Sequence, residues 1–175
     1  MTKALAFVTS KEVHYGGASM LLRARRARFK ERKDWEDISL IRRSVFTEEQ
    51  GIDPRIDFDG LDATAMHVID TALDETKGIF VPAGTVRFRP IDGPLYTLKL
   101  ERMAVLPQFR KAGVGRHMLD FFLASFPGLQ NGRAMITLHA QQSAQGFYER
   151  LGFEVCGKPF EEAGITHIEM QKVVS

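Results

Sequence analysis

Residues 113–126 set Val114, Met118, Leu119, Phe122 and Leu123 at spacings of three and four, a stripe that predicts one long amphipathic helix. The preceding segment, residues 96–106, reads as a strand, and the two are joined by the turn Arg110-Lys111-Ala112-Gly113-Val114-Gly115. A strand that ends in a glycine-bearing turn and feeds a long helix must find a sheet to cover. That requirement confines the chain to architectures built of helices packed on strands.

The rest of the chain supplies such a sheet. Strand patterns fall at residues 21–29, 65–71, 84–88, 134–139, 153–156 and 166–172, separated by turn-rich segments at 74–78 and 90–94. The three between 65 and 106 read as an antiparallel meander. Asp34 is the expected N-cap of a first helix carrying Ile38, Ile41, Val45 and Phe46. Pro127 and Gly128 are expected to stop the long helix, and a further helix at 143–151 is closed by Gly152. Between them, residues 47–62 hold Glu48, Glu49, Asp53, Asp57, Asp59 and Asp62, a loop or short helix whose acids are expected in water.

With 175 residues, 44% of them hydrophobic, the chain suits one domain over 21–175, preceded by an extension of uncertain order at 1–20. Its apolar runs are far shorter than the roughly 20 residues of a membrane span, so no membrane partner is expected. Cys156 is the single cysteine, which excludes an internal disulfide framework and a cysteine zinc site and suits the cytoplasm. It is expected as a small buried hydrophobe within a strand. Residues 1–30 carry Lys3, Lys11, Arg23, Arg25, Arg26, Arg28 and Lys30 against Glu12 alone, which leaves organelle targeting as a secondary reading. The simpler reading is a frayed start followed by a strand with arginines turned to water. Nucleic acid is not expected as a partner, because apart from Phe29 no aromatic is interleaved with the basic run at 23–33.

The turn at 110–115 carries the chemistry. The first amides of a helix lack intrahelical acceptors and sit at the positive end of its dipole. Gly113 and Gly115 allow close approach of a phosphate, while Arg110, Lys111 and Arg116 add charge. The physical expectation is an anion site of pyrophosphate size, the alternative being an ordinary strand-to-helix turn. A Walker turn is excluded by the missing lysine-serine or lysine-threonine pair, and a dinucleotide fingerprint by the missing third glycine.

Arg110-x-x-Gly113-x-Gly115, followed some thirty residues later by Gly146-Phe147-Tyr148-Glu149-Arg150-Leu151-Gly152-Phe153, resembles the paired motifs of the GNAT acetyltransferase superfamily. The likeness spans about residues 38–170 and is closest to the YjcF-like (ElaA-like) branch, through Arg43, Glu49-Gln50, Asp59, Asp62, His67, Lys99, Arg102-Met103-Ala104-Val105, Ala140-Gln141 and Gly164-Ile165 with His167. It implies the GNAT fold: an α/β protein with a central mixed, mostly antiparallel, twisted sheet of six to seven strands, splayed between the fourth and fifth and flanked by about four helices. The implied acyl donor is acetyl-CoA, without a metal. The implied acceptor is a small-molecule amine such as a polyamine or amino sugar, or a peptide amine, and a homodimer is compatible with the family.

By the same resemblance Arg110, Lys111, Ala112, Gly113, Val114, Gly115 and Arg116 hold the CoA pyrophosphate. Backbone groups of Met103, Ala104 and Val105 hold the pantetheine arm, with Gln141, where many relatives have Asn, and Phe147 beside it. Tyr148 is implied as the general acid that protonates the departing sulfur. The general base stays open among Glu101, His67, His139 and Glu49, with Glu101 the candidate carboxylate, since alternation sets Lys99, Glu101 and Met103 on one side of their strand. For the histidines, His167 included, a satisfied structural role is the alternative. An acid-rich wall at 53–62 would attract a cationic amine. A CoA-binding protein without turnover is the competing reading.

Overall fold

The computed structural model describes residues 8–93, 95–126 and 133–174. Its strands are β1 (Val8–Tyr15), β2 (Ala18–Ala27), β3 (Met66–Asp74), β4 (Ile79–Ile91), β5 (Tyr96–Val105), β6 (Ala134–Gln141), β7 (Glu154–Val155), β8 (Phe160–Glu162) and β9 (Ile165–Val174). Its α-helices are α1 (Arg32–Arg42), α2 (Pro54–Asp57), α3 (Val114–Ser125) and α4 (Gln145–Glu149). The strands form one mixed sheet in the order β1-β2-β3-β4-β5-β6-β9-β7, with β8 on β9. Among the described residues that is nine strands, two more than the sequence reading, which lacked β1 and β8. Described residues of 1–87 and 102–126 form one compact unit, those of 88–101 and 127–175 a second, and β4 and β5 contribute to both.

In the first unit, residues 8–15 are a strand and not frayed chain, pairing antiparallel with β2 from Val8↔Arg25 to Tyr15↔Ala18. The link is Gly16-Gly17, both left-handed at φ 62° and 85°, the two-residue turn whose twist matches a hairpin. The inner side of β2 buries Leu22 and Ala24 completely. Its arginines Arg23 and Arg26 are exposed, as expected, and each also lies over a ring: Arg23 over Phe80 at 3.8 Å and Arg26 over Phe126 at 4.5 Å. β2 continues antiparallel into β3, from Leu22↔Ala72 to Ala27↔His67.

α1 starts at Arg32, and its N-cap is Glu31, whose side chain makes no cap. Asp34 lies instead in the first turn, where its carboxylate accepts the Arg28 N–H at 2.7 Å and pairs with Arg25 at 2.6 Å. An acid at this third helical position reaches back to the chain before the helix, as in a capping box. The helix then passes into a π-helical stretch, Arg43–Glu49, with Gln50 N–H bonded five residues back to Val45. Ile41, Val45 and Phe46 pack with Ala104 and Leu106 into one cluster. α3 buries Val114, Met118, Leu119 and Phe122 as its stripe requires, and Phe121 as well, while Leu123 is half-buried. Pro127 and Gly128, its expected stop, lie outside the described residues, as does Pro94. β4 is far longer than the expected 84–88 because Pro82 and Pro90, which argue against a strand in sequence, sit within it.

In the second unit, β5 and β6 pair in parallel over Tyr96–Lys99 and Ala134–Thr137, and β6 pairs antiparallel with β9 along its whole length. β8 returns to β9 through Ala163-Gly164 at φ 51° and 74°. α4 ends in a Schellman motif: Phe153 N–H bonds to Tyr148 C=O, Gly152 N–H to Glu149 C=O, and Gly152 is left-handed at φ 81°. Cys156 corrects its expectation. β7 is only two residues long, so Cys156 falls just past it and is exposed.

Candidate functional site

The site grows from the end of β5. Pro107–Phe109 forms one 3-10 turn, Arg110 is extended, and Lys111 then adopts φ 64°, uncommon for a residue with a Cβ. Gly113 follows at φ 84° as the N-cap of α3, and its carbonyl accepts the His117 N–H at 2.9 Å. A glycine cap has no side chain to satisfy the amides of Val114, Gly115 and Arg116, so these donors stay open to a ligand. A Cβ on Gly113 would meet nothing within 4 Å, so glycine answers to the backbone angle and leaves space in front of the helix. The left-handed Lys111 and the uncapped helix start bring together backbone N–H groups of the kind that can receive an anion, a cradle in form.

Arg110 is engaged by groups of the protein itself. Its Nε donates to the Val105 carbonyl at 3.1 Å, and both terminal nitrogens donate to Glu49, at 2.8 and 2.5 Å. The guanidinium thus ties the end of β5 to the π-helical stretch, and its hydrogen bonds hold the Glu49 carboxyl below the usual carboxylate range. Side-chain charge nearest the cradle falls to Lys111 and Arg116, the latter near Asp120 at 3.5 Å. Ala104, Ala112 and Val114 are buried, so these positions can serve a ligand only through their backbones.

The alternation expected along β5 breaks at Arg102, whose φ of 52° interrupts the extended backbone. Its side chain reaches the carbonyls of Ile56 and Asp57 at 2.8 and 3.0 Å and the Asp59 carboxylate at 3.1 Å. Two fully buried arginines complete the network. Arg42 binds Asp57 and Asp62, and Arg87 binds Asp59 and Asp62. Hydrogen bonds from Arg87, aided by its charge and that of Arg102, hold the Asp59 carboxyl far below its usual range despite partial burial. Of the acids expected in water, Asp57 and Asp62 are instead buried in ion pairs, while Glu48, Glu49 and Asp59 are exposed and Asp53 is half-buried beside the exposed Arg55. His67 donates from Nε2 to the Asp62 carbonyl at 2.9 Å, and burial lowers its pKa, so it is a neutral structural histidine.

In the second unit, Gln141 ends β6 and leads through a 3-10 turn, Gln142–Ala144, into α4, which carries Phe147 and Tyr148. Tyr148 is buried, with Phe147 and Phe153 edge-on at 5.0 and 5.7 Å between ring centres. Burial pushes its hydroxyl well above the ordinary phenol value. Glu101 is gripped by Arg89 through two hydrogen bonds of 2.8 Å, and its side chain is 9% exposed. His139, one of the candidate bases, has its Nδ1 2.7 Å from Glu162 Oε2, a partner that sequence spacing of 23 residues does not disclose. His167 bonds through Nδ1 to the Ile165 carbonyl at 2.7 Å.

Residues 75–174 match the family described as the acetyltransferase (GNAT) domain. The chain is 33% identical over 144 residues to the N-acetyltransferase YjcF of Bacillus subtilis, covering 82% of this chain and 95% of that protein. The fold superposes on Escherichia coli ElaA with a TM-score of 0.68 at 22% identity, over 86% of this chain and 99% of ElaA. It also superposes on an aminoglycoside 6'-N-acetyltransferase complexed with coenzyme A, with a TM-score of 0.60 at 15% identity over 85% and 96% of the two chains.

Proposed function

Because the chain belongs to the GNAT acetyltransferase family, we propose that it moves the acetyl group of acetyl-CoA onto an amine of a small molecule, with Tyr148 as general acid. The observation that carries this reading is the start of α3, where a left-handed glycine cap and a left-handed Lys111 leave a cluster of amides fit for a diphosphate. Lys111 and Arg116 add positive charge there, and the backbone of Met103–Val105 takes the pantetheine arm. A backbone N–H of this strand polarises the thioester carbonyl and carries the charge that develops on its oxygen.

The amine nitrogen attacks the carbonyl carbon and the N–C bond forms. The C–S bond then breaks, and the sulfur takes the Tyr148 hydroxyl proton, which the phenolate regains from solvent. A phenol is protonated at neutral pH and can therefore donate, and Phe147 and Phe153 hold the Tyr148 ring edge-on, although burial works against release of its proton.

Thiol release from acetyl-CoA against polyamines, amino sugars and peptide amino termini is the direct test. Turnover with one small-molecule class is expected, and Tyr148→Phe should lower it by roughly 10²-fold or more while acetyl-CoA still binds. Binding without turnover across the panel would point to a coenzyme-binding protein instead. Turnover confined to peptide termini would move the acceptor to that class.

A further inference from the structure

The transfer needs a group to take the proton from the attacking nitrogen, and most candidates are engaged elsewhere. Glu101 is held by Nε and one terminal nitrogen of Arg89, Glu49 by Arg110, and His67 by the Asp62 carbonyl in the core. His117 lies between Asp70 and Thr9 and is buried, His167 is bonded to its own turn, and His14 is on the exposed hairpin beside Ser19. A carboxylate locked by a bidentate guanidinium gains little from a proton, because accepting one breaks the ion pair.

His139 differs from all of these. Its Nδ1 faces Glu162 Oε2 at 2.7 Å, and its side chain is 30% exposed. Burial works to raise the Glu162 pKa, but the His139 hydrogen bond and the nearby Lys99 charge bring it below its usual value. An ionised carboxylate can only accept, so the Nδ1 proton sits between the two and Nε2 presents its lone pair. Nε2 makes no hydrogen bond to any described residue, and the Phe160 ring stands edge-on to the imidazole at 4.8 Å. The arrangement is an imidazole oriented by a carboxylate, the form of a general base.

Its place on the strand fits the proposed chemistry. His139 and Gln141 are two residues apart on β6 and share one side of it, about 7 Å apart along the strand. Lys99 of β5 is the register partner of Thr137 and falls on that side, as do Glu169 and His167 of β9, opposite His139 and Gln141, with Glu162 reaching over from β8.

We propose that His139, oriented by Glu162, is the general base of the acetyl transfer, an assignment that rests on the reading of this chain as an amine acetyltransferase. As the N–C bond forms, Nε2 accepts one proton from the attacking nitrogen, giving an imidazolium paired with the Glu162 carboxylate. The imidazolium then returns that proton to solvent. Glu162 touches no reacting atom and is a positioning residue.

The test is the pH profile of kcat/KM on the intact protein, with an amine found active in the thiol-release assay, alongside acetyl-CoA affinity by calorimetry. His139→Gln should lose roughly 10²-fold or more in kcat/KM, keep its acetyl-CoA Kd within about threefold, and lose the acid limb of the profile. His139→Ala should regain turnover when imidazole is added. Glu162→Gln should show a smaller loss and a displaced acid limb, which a purely structural clasp would not produce. Wild-type turnover with an unchanged rate and limb in His139→Gln would overturn the base and leave the acetyltransferase reading intact. Acetyl-CoA binding without wild-type turnover of any amine would overturn both.

Discussion

Arg110 joins the end of β5 to the π-helical stretch. With its donors spread over Val105 and Glu49, it braces the approach to the cradle, and Glu49 cancels its charge there. Glu49→Ala should therefore free a cation beside the diphosphate and tighten acetyl-CoA by about two- to fivefold at low salt. The gain should vanish near about 0.5 M salt, as titration calorimetry at the two ionic strengths would show. Asp59 gives a pH prediction. Its pKa is lower folded than unfolded, so its stabilisation is complete above about pH 4 and is lost as pH falls through the folded value. Asp59→Asn should flatten the loss of thermal stability below about pH 4, read from melting curves in acid. The arginine–aspartate network was illegible in sequence, since Arg42, Arg87 and Arg102 find partners 15 to 45 residues away. The glycine turn that opens α3 was legible because its spacing is local, but the strained Lys111 was not, since nothing in its side chain announces a left-handed backbone.

At the scale of elements, α3 reads cleanly because it presents its own period over 12 residues, and β5 was placed by its run of strand formers although its alternation is interrupted at Arg102. The errors fell where an element is defined by its neighbour. β1 has few apolar residues and is mostly exposed, so only pairing with β2 makes it a strand. The π-helical stretch keeps Val45 and Phe46 inward as an α-helix would, so the pattern hides the change of winding. A chain starting at residue 21 would uncover the edge of β2 and remove the Thr9 bond to His117, and it should unfold at lower urea than the full chain. Gly84 of β4 marks another contact. A Cβ there would stand 2.8 Å from Val114 Cγ1 and 3.1 Å from the Ala104 carbonyl, where α3, β4 and β5 meet. Gly84→Ala should destabilise by about 1 to 3 kcal/mol by pressing on that contact, measurable in the same urea titration.

For the whole molecule, α/β architecture followed from one helix needing a sheet, and the strand order completes it. Sequence could not count the strands, because β8 is three residues long and two of them are glutamates. If the folded chain alone carries the cradle, acetyl-CoA at about 100 times its Kd should add about 2.7 kcal/mol and raise the melting temperature by about 5 to 10 °C. No rise at saturating coenzyme would remove the cradle from consideration. The exposed thiol beyond β7 has a practical corollary. Maleimide chemistry can attach one fluorophore per chain at Cys156 with no engineering, and because slight burial and Glu169 raise its pKa, the coupling should quicken markedly under mildly alkaline conditions. The protein thus carries its own single-dye reporter, ready for anisotropy titrations of whatever amine it acetylates.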